Sequence, residues 1–424
     1  MTAGVLVALR GDRELAVVGA IDAAEDLAVV RRCADNAELL ASAMAGLGAV
    51  AVVDAELEPD RSLVARLAQA GTRALIMCPP AEAPRYRAMS AQPLPYQISV
   101  DQVVTAVQAA AAAPVDDPGW LGLRSGSGAN ESDLIDTHPN GIHQLTKVGQ
   151  MLLVGGAGGS PGRSTIALNL AAELAVANHR TLLIDADIWG AAIAPALGLL
   201  QESAGLAAAV RAADRGTLDP DTLSGLCRPI SGRLSVLPGL PRPSRWREVS
   251  GVGIDEVWRQ ARLLADWVIV DAPVWVPDDD QSGGFDAITP QRNAVLFSLM
   301  AAAEHSLMVG AAEPTGIQRL VQTIIDADER HPPSGRRVVV NRLRAEAAGP
   351  RPAESVREAL HRFAGVSGTY LVPDDRLACD RAALMGLTLA ETAPHSPARE
   401  AIAALAHDLG GLANGRRLRR RRRR

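Results

Sequence analysis

The chain has 424 residues, 48% of them apolar and 21% charged, with a formal net charge of −5. That supports two or three domains with sizeable cores and excludes a wholly disordered polypeptide. No apolar run reaches the roughly 18 residues of a membrane span and no N-terminal signal pattern stands out, so a cytoplasmic location is expected, with peripheral attachment at the inner face of the membrane left open.

Charge is unevenly placed. A single lysine, Lys147, stands against 42 arginines, and eight of those arginines crowd into Arg416 to Arg424. Such a block repels itself, and its chemistry suits electrostatic, salt-sensitive contact with anionic lipid or nucleic acid. It lacks the apolar face of an inserting helix. The four cysteines, Cys33, Cys78, Cys227 and Cys379, are scattered without C-x-x-C spacing and are expected to be reduced and structural. The eight histidines form no H-x-x-x-H pair, so neither metal nor catalytic work is assigned to them.

In chain order, apolar runs at Val5 to Leu9, Leu27 to Val30, Ala49 to Val53 and Ala74 to Met77 read as strands. They alternate with helical patterns at Ala37 to Ala45, Leu63 to Ala70 and Val103 to Ala112. Alternation of this kind predicts a small parallel α/β domain over residues 1–114. It resembles a response-regulator receiver domain, with Asp54 at the end of the third run in the phosphoacceptor position. A receiver also has an acidic pair after its first strand, where Arg10-Gly11-Asp12 stands here, and a lysine after its fifth, where QISVDQVV offers none. The resemblance therefore implies a pseudo-receiver used for docking. Residues 115–147, rich in Pro, Gly, Ser, Asn and Asp, have the composition of a linker.

The next run, MLLVGGAGGSPGRST from Met151 to Thr165, predicts a buried strand, a glycine-rich turn and a helix. Backbone N–H groups at such a turn converge on an anion, and the helix dipole assists them. Where the pattern G-x-x-x-x-G-K-[ST] asks for glycine and lysine, the chain has Ala157 and Arg163. Arginine is no neutral replacement, because a planar fork and a compact ammonium fit a tight cradle differently. Ser164 is placed to meet a magnesium ion. Two further apolar runs end in acid: TLLIDADIWG carries Asp185 and Asp187, and WVIVDAP carries Asp271 followed by Pro273. In an open α/β sheet, strand ends of this kind face the ligand crevice. Trp246, Trp258 and Trp267 read as packing residues, and Asp278-Asp279-Asp280 as a solvated charge run.

These three runs, in this order, resemble the MinD/ParA group of deviant P-loop ATPases, over roughly Gln150 to Leu412. The group's K-G-G-x-G-K-[ST]-[ST] loop falls on Gly158-Gly159-Ser160-Pro161-Gly162-Arg163-Ser164-Thr165. Both of its lysines are missing: the one that reaches across a dimer maps to Gly158, and the phosphate lysine maps to Arg163. The resemblance implies ATP and Mg2+ as cofactors. It gives Asp187 the water-orienting role, Asp271 the switch II role and Asp185 a place beside the metal with Ser164. Asn341 in VVVNRL would contact adenine, and Pro373 and Asp374 in YLVPDD would close over the base. The runs GLAAAVRAADRGTLDPDTL and LSVLPGLP look most like the CpaE/TadZ and septum-site-determining (Ssd-like) branch.

The implied fold is α/β, a mostly parallel P-loop (SIMIBI-type) domain over residues 148–412 after a receiver-like domain, with residues 413–424 as an arginine-rich tail. Three functions fit. One is a MinD/CpaE-like spatial regulator of septum placement or pilus assembly, with a degenerate nucleotide site and with cell-division or pilus proteins as partners. The second is an active ATPase cycling between monomer and homodimer, with Arg163 serving in the loop. The third is a DNA-binding partition protein that uses the tail. Loss of one charge-assisted contact, worth roughly 1.5–3 kcal/mol, would weaken nucleotide binding about ten- to a hundredfold. Hydrolysis is more exposed, since cations placed in trans contribute about 10³–10⁵-fold; weak or absent turnover is expected.

Overall fold

The structure, a computed structural model, describes residues 2–113, 148–159, 161–199, 204–274, 292–330 and 335–421. The linker with Lys147, the acidic run 278–280 and the side chains of the arginine tail lie outside the described residues. The chain divides into two compact units.

The first unit is a five-stranded sheet of β1 (Ala3–Ala8), β2 (Leu27–Arg32), β3 (Val50–Asp54), β4 (Arg73–Cys78) and β5 (Gln92–Pro95), in the order β2-β1-β3-β4-β5. Every pairing is parallel. This is the doubly wound order of flavodoxin-like folds. Side chains alternate across a strand, so β1 sends Leu6 and Ala8 to one face and Val5 and Val7 to the other. Helices α1 (Asp12–Asp22) and α5 (Val100–Ala112) cover the Val5 face. Helices α2 (Asn36–Met44), α3 (Arg61–Gln69) and α4 (Ala83–Ala88) cover the Leu6 face. Caps set the helix starts: Asp35 accepts from the Glu38 amide, Asp60 from Leu63, and Ser99 forms a capping box with Gln102.

The second unit is built on an eight-stranded sheet: β6 (Gln150–Gly156), β7 (Thr181–Asp185), β8 (Arg228–Pro229), β9 (Leu234–Leu237), β10 (Trp267–Asp271), β11 (His305–Ala311), β12 (Arg336–Leu343) and β13 (Thr369–Pro373). The order is β13-β12-β11-β6-β10-β7-β9-β8, and only the β8–β9 pair is antiparallel. Strands β7 and β10 are buried at every position, as a parallel sheet covered on both faces requires. On one face, α6 (Arg163–Val176) packs with the last helix, α10 (Pro397–Arg421), over Leu152, Leu183, Ile269 and Val309. On the other, α8 (Pro314–Arg330) and α9 (Pro352–Ala364) cover Met308, Val338 and Val340. Helix α7 (Gly251–Leu264) packs on β10 and buries Trp258, and Trp267 at the start of β10 is buried as well.

One polar contact ties α6 to α10. The Arg399 guanidinium donates to both oxygens of Glu173, at 2.7 and 3.0 Å, and Glu173 is almost wholly buried. Three of the cysteines are buried, Cys379 is half-buried, and all four are free thiols. Among the described residues, no helix is long and apolar enough to cross a membrane.

Candidate nucleotide site

Strand β6 delivers the chain into the glycine-rich turn, and α6 opens at Arg163 with Gly162 at its N-cap in the left-handed region, φ 92°. A side chain is excluded there twice over: the backbone is strained for an L residue, and a Cβ would collide with the amide of Asn341. That amide donates to the Pro161 carbonyl at 2.9 Å, so Asn341, expected at adenine, braces the loop. At Gly159, also at φ 92°, a Cβ would strike the Arg319 guanidinium of α8. The amides of the first turn, Arg163 to Thr165, have no intrahelical acceptor and face the turn, the usual anion-binding arrangement. Ser160 lies outside the described residues.

The register of the sheet levels the acidic strand ends. Asp271 pairs with Asp185 on one side and with Val154 on the other, so the ends of β6, β10 and β7 share one carboxyl edge. Asp185 and Asp271 are fully buried and Asp187 nearly so. Asp185 accepts from the Ile193 amide at 3.0 Å, while its other oxygen finds no partner among the described residues. Neither oxygen of Asp271 has one either. Burial pushes both carboxyls well above their ordinary range. Repulsion from Asp271 and Asp187 adds to the effect at Asp185, and nearby Ser164 and Arg163 partly offset it at Asp271 without completing a hydrogen bond.

Two buried, hydrogen-bond-starved carboxylates beside an anion cradle form the donor set that a hard divalent cation satisfies. No group of three Asp, Glu, His or Cys side chains among the described residues could hold a metal alone. That suits magnesium, which takes much of its shell from water and phosphate. The residues that would hold it are Ser164, Asp185 and Asp271.

Arg163 does something sequence reading left unassigned. Its Nη2 lies 3.2 Å from Asp187 Oδ2, with the two side chains only 10% and 7% exposed. The other Asp187 oxygen accepts from the amides of Trp189 and Gly190, at 3.0 and 3.1 Å. The loop arginine and the carboxylate just after β7 hold each other. At the far end of the same edge, Pro373 closes β13, the Asp374 amide donates to Leu343 O, and its carboxylate pairs with Arg344 at 3.2 Å. Arg319 and Arg344 belong to no motif. Their only sequence signal is an arginine close after a strand end at this edge.

Asp54 sits in the first unit. One oxygen accepts from the Tyr96 hydroxyl at 2.6 Å and the Glu56 amide at 3.0 Å, and the other from the Arg10 amide at 3.3 Å. Burial and this bond push the Tyr96 phenol up, so it stays protonated as the donor.

The model of the CobQ/CobB/MinD/ParA nucleotide binding domain (CbiA) matches residues 151–382, and the chain belongs to that family of MinD/ParA-type P-loop proteins. A ParA family ATPase from Chlorobium tepidum TLS superposes with a TM-score of 0.51 at 19% identity, covering 61% of this chain and 98% of that one. The cell division ATPase MinD of Pyrococcus furiosus gives 0.48 at 18% identity, covering 62% and 99%. The septum site-determining protein MinD of Pyrococcus horikoshii OT3, solved with Mg-ADP, gives 0.49 at 19%, covering 62% and 97%. At 19% identity the likeness to the Chlorobium protein speaks for the fold alone. No curated protein matches the chain significantly.

Proposed function

We propose that the chain is a MinD/CpaE-like spatial regulator of cell division or pilus assembly, of the Ssd-like or CpaE/TadZ branch, whose degenerate site binds ATP and Mg2+ weakly or not at all and hydrolyses little. Its domains are a pseudo-receiver over residues 1–114, a linker, a regulatory P-loop domain over residues 148–412 and the arginine tail. The observation that carries this reading is the ion pair between Arg163 and Asp187. Both lysines are absent, and the arginine in place of one of them is engaged by the aspartate that would orient the attacking water. Magnesium, when bound, would neutralise charge on the phosphates. The chain's own contribution is the amide cradle from Gly158 to Thr165 and the carboxylates of Asp185 and Asp271, with Asn341 bracing the turn. Transition-state stabilisation by a free cation of the loop itself is what the arrangement lacks.

The engaged Asp54 supports a first domain that docks rather than accepts phosphate. Partners would be cell-division or pilus proteins, with a homodimer and tail-mediated contact with anionic lipid or nucleic acid as further interactions. A second reading, an active ATPase, draws on the unsatisfied oxygens of Asp271, which fit a catalytic metal. Phosphate release at saturating ATP and Mg2+ decides between them. Negligible release is expected, and steady release that disappears in Asp187→Ala would overturn the regulator reading.

A further inference from the structure

We infer that Arg319 is the phosphate-facing cation of this site, supplying from α8 of the same chain the positive charge that neither loop lysine provides. The inference rests on the nucleotide reading above and names the residue that recognises the polyphosphate tail. Three observations carry it. First, Arg163 is drawn to Asp187: it is buried with its Nη2 on that carboxylate, which leaves its Nη1, also buried, without a partner among the described residues. Second, Arg319 is placed at the loop. Strand β11 pairs with β6 up to Val309 and Gly156, the Ala157 amide donates to Val309 O, and α8 begins just beyond β11 at the same edge. Arg319 lies in the second turn of that helix, with Nη1 against the face of Gly159 that a Cβ would occupy. Third, Arg319 is exposed, and its guanidinium makes no ion pair or hydrogen bond among the described residues.

Charge balance explains why the site needs this residue. Arg163 is the loop's own side-chain cation and it faces Asp187, so a polyphosphate entering beside Asp185 and Asp271 gains from a second cation that faces it. A guanidinium can bridge two phosphate oxygens at once, which a lone ammonium cannot match in geometry. Gly159 then has a second purpose beyond its backbone angle, because a bare Cα lets the guanidinium lie directly on the loop.

The test uses the full-length protein and a fluorescent ATP analogue with Mg2+, titrated at low and moderate salt. Arg319→Ala is expected to weaken binding about ten- to a hundredfold and to reduce its salt dependence. Arg319→Lys, which keeps the charge but not the fork, should lose less affinity than Arg319→Ala without matching the wild type, and Arg163→Ala should lose several-fold less than Arg319→Ala. Because Arg319 is exposed, its variants should unfold at the wild-type temperature. Gly159→Ala, which displaces the guanidinium, should lose affinity as Arg319→Ala does. Wild-type affinity in Arg319→Ala, or a larger loss in Arg163→Ala, overturns the inference. Absence of any binding by the wild type overturns it too, yet leaves the regulator reading standing. Brisk hydrolysis by the wild type would instead defeat the regulator reading and leave Arg319 to the affinity comparison.

Discussion

Arg163 and Asp187 form a buried ion pair, Nη2 to Oδ2 at 3.2 Å, between the first residue of α6 and the segment after β7. Each belongs by its position to nucleotide chemistry, and in this chain they neutralise one another. Taking both charges out of water is costly, and their mutual attraction offsets that only while both are present.

Removing one member should therefore expose the cost. Asp187→Asn keeps an oxygen for the Trp189 and Gly190 amides but leaves the Arg163 guanidinium buried without its counter-charge. A loss of about 3 kcal/mol is expected, read as a fall in unfolding temperature, with recovery in Asp187→Leu/Arg163→Met. A single variant as stable as the wild type would show the pair to be solvated.

The carboxyls of Asp185 and Asp271 give the fold a pH dependence of defined sign. Burial raises both folded-state pKa values, so the folded chain binds these protons more tightly than the unfolded one. Their contribution is fully present below the unfolded pKa of about 4 and is lost as pH rises through the raised folded values. Asp271→Asn should flatten that loss and stabilise the protein by about 1–2 kcal/mol at alkaline pH. Mg2+, competing with those protons, should raise the wild-type unfolding temperature more at alkaline than at mildly acidic pH, and should leave Asp271→Asn nearly unmoved.

Much of the architecture is legible in the sequence. Strands buried on both faces are continuous apolar runs, so Ala74 to Met77 lies within β4 and Ala49 to Val53 overlaps β3 within a residue. The acidic strand ends were legible for the same reason, since Asp185 and Asp271 terminate such runs. What the residues did not disclose is which side chains meet. The bond from Asn341 to Pro161 spans 180 positions, and the contact of Arg319 with Gly159 joins an exposed helical arginine to a bare backbone. Neither partner leaves a periodic or compositional trace, because each contact exists only after the sheet has levelled its strands.

The fork between Arg399 and Glu173 holds α10 on α6. Glu173 is buried, so Arg399→Ala should destabilise the second unit by about 3 kcal/mol, chiefly through the stranded carboxylate. Glu173→Leu/Arg399→Leu should recover most of that, because α6 and α10 already share an apolar seam through Leu170, Ile402 and Leu405. Thermal unfolding of the two variants measures the difference, and equal losses in the single and double variants would place the effect in packing.

Asp54 offers the last test. Its carboxylate is buried and engaged by Tyr96, Glu56 and Arg10, so a phosphoryl donor would have to displace these partners and add charge where no acidic cluster for a metal exists among the described residues. Incubation with acetyl phosphate and Mg2+ should leave the intact mass unchanged. Tyr96→Phe removes one hydrogen bond to an ionised acceptor and should cost about 1.5–3 kcal/mol without creating reactivity, because two backbone amides still hold the carboxylate in place. A gain of one phosphoryl mass that is abolished by Asp54→Asn would show that a missing lysine and an occupying tyrosine are not enough to silence a strand-end aspartate.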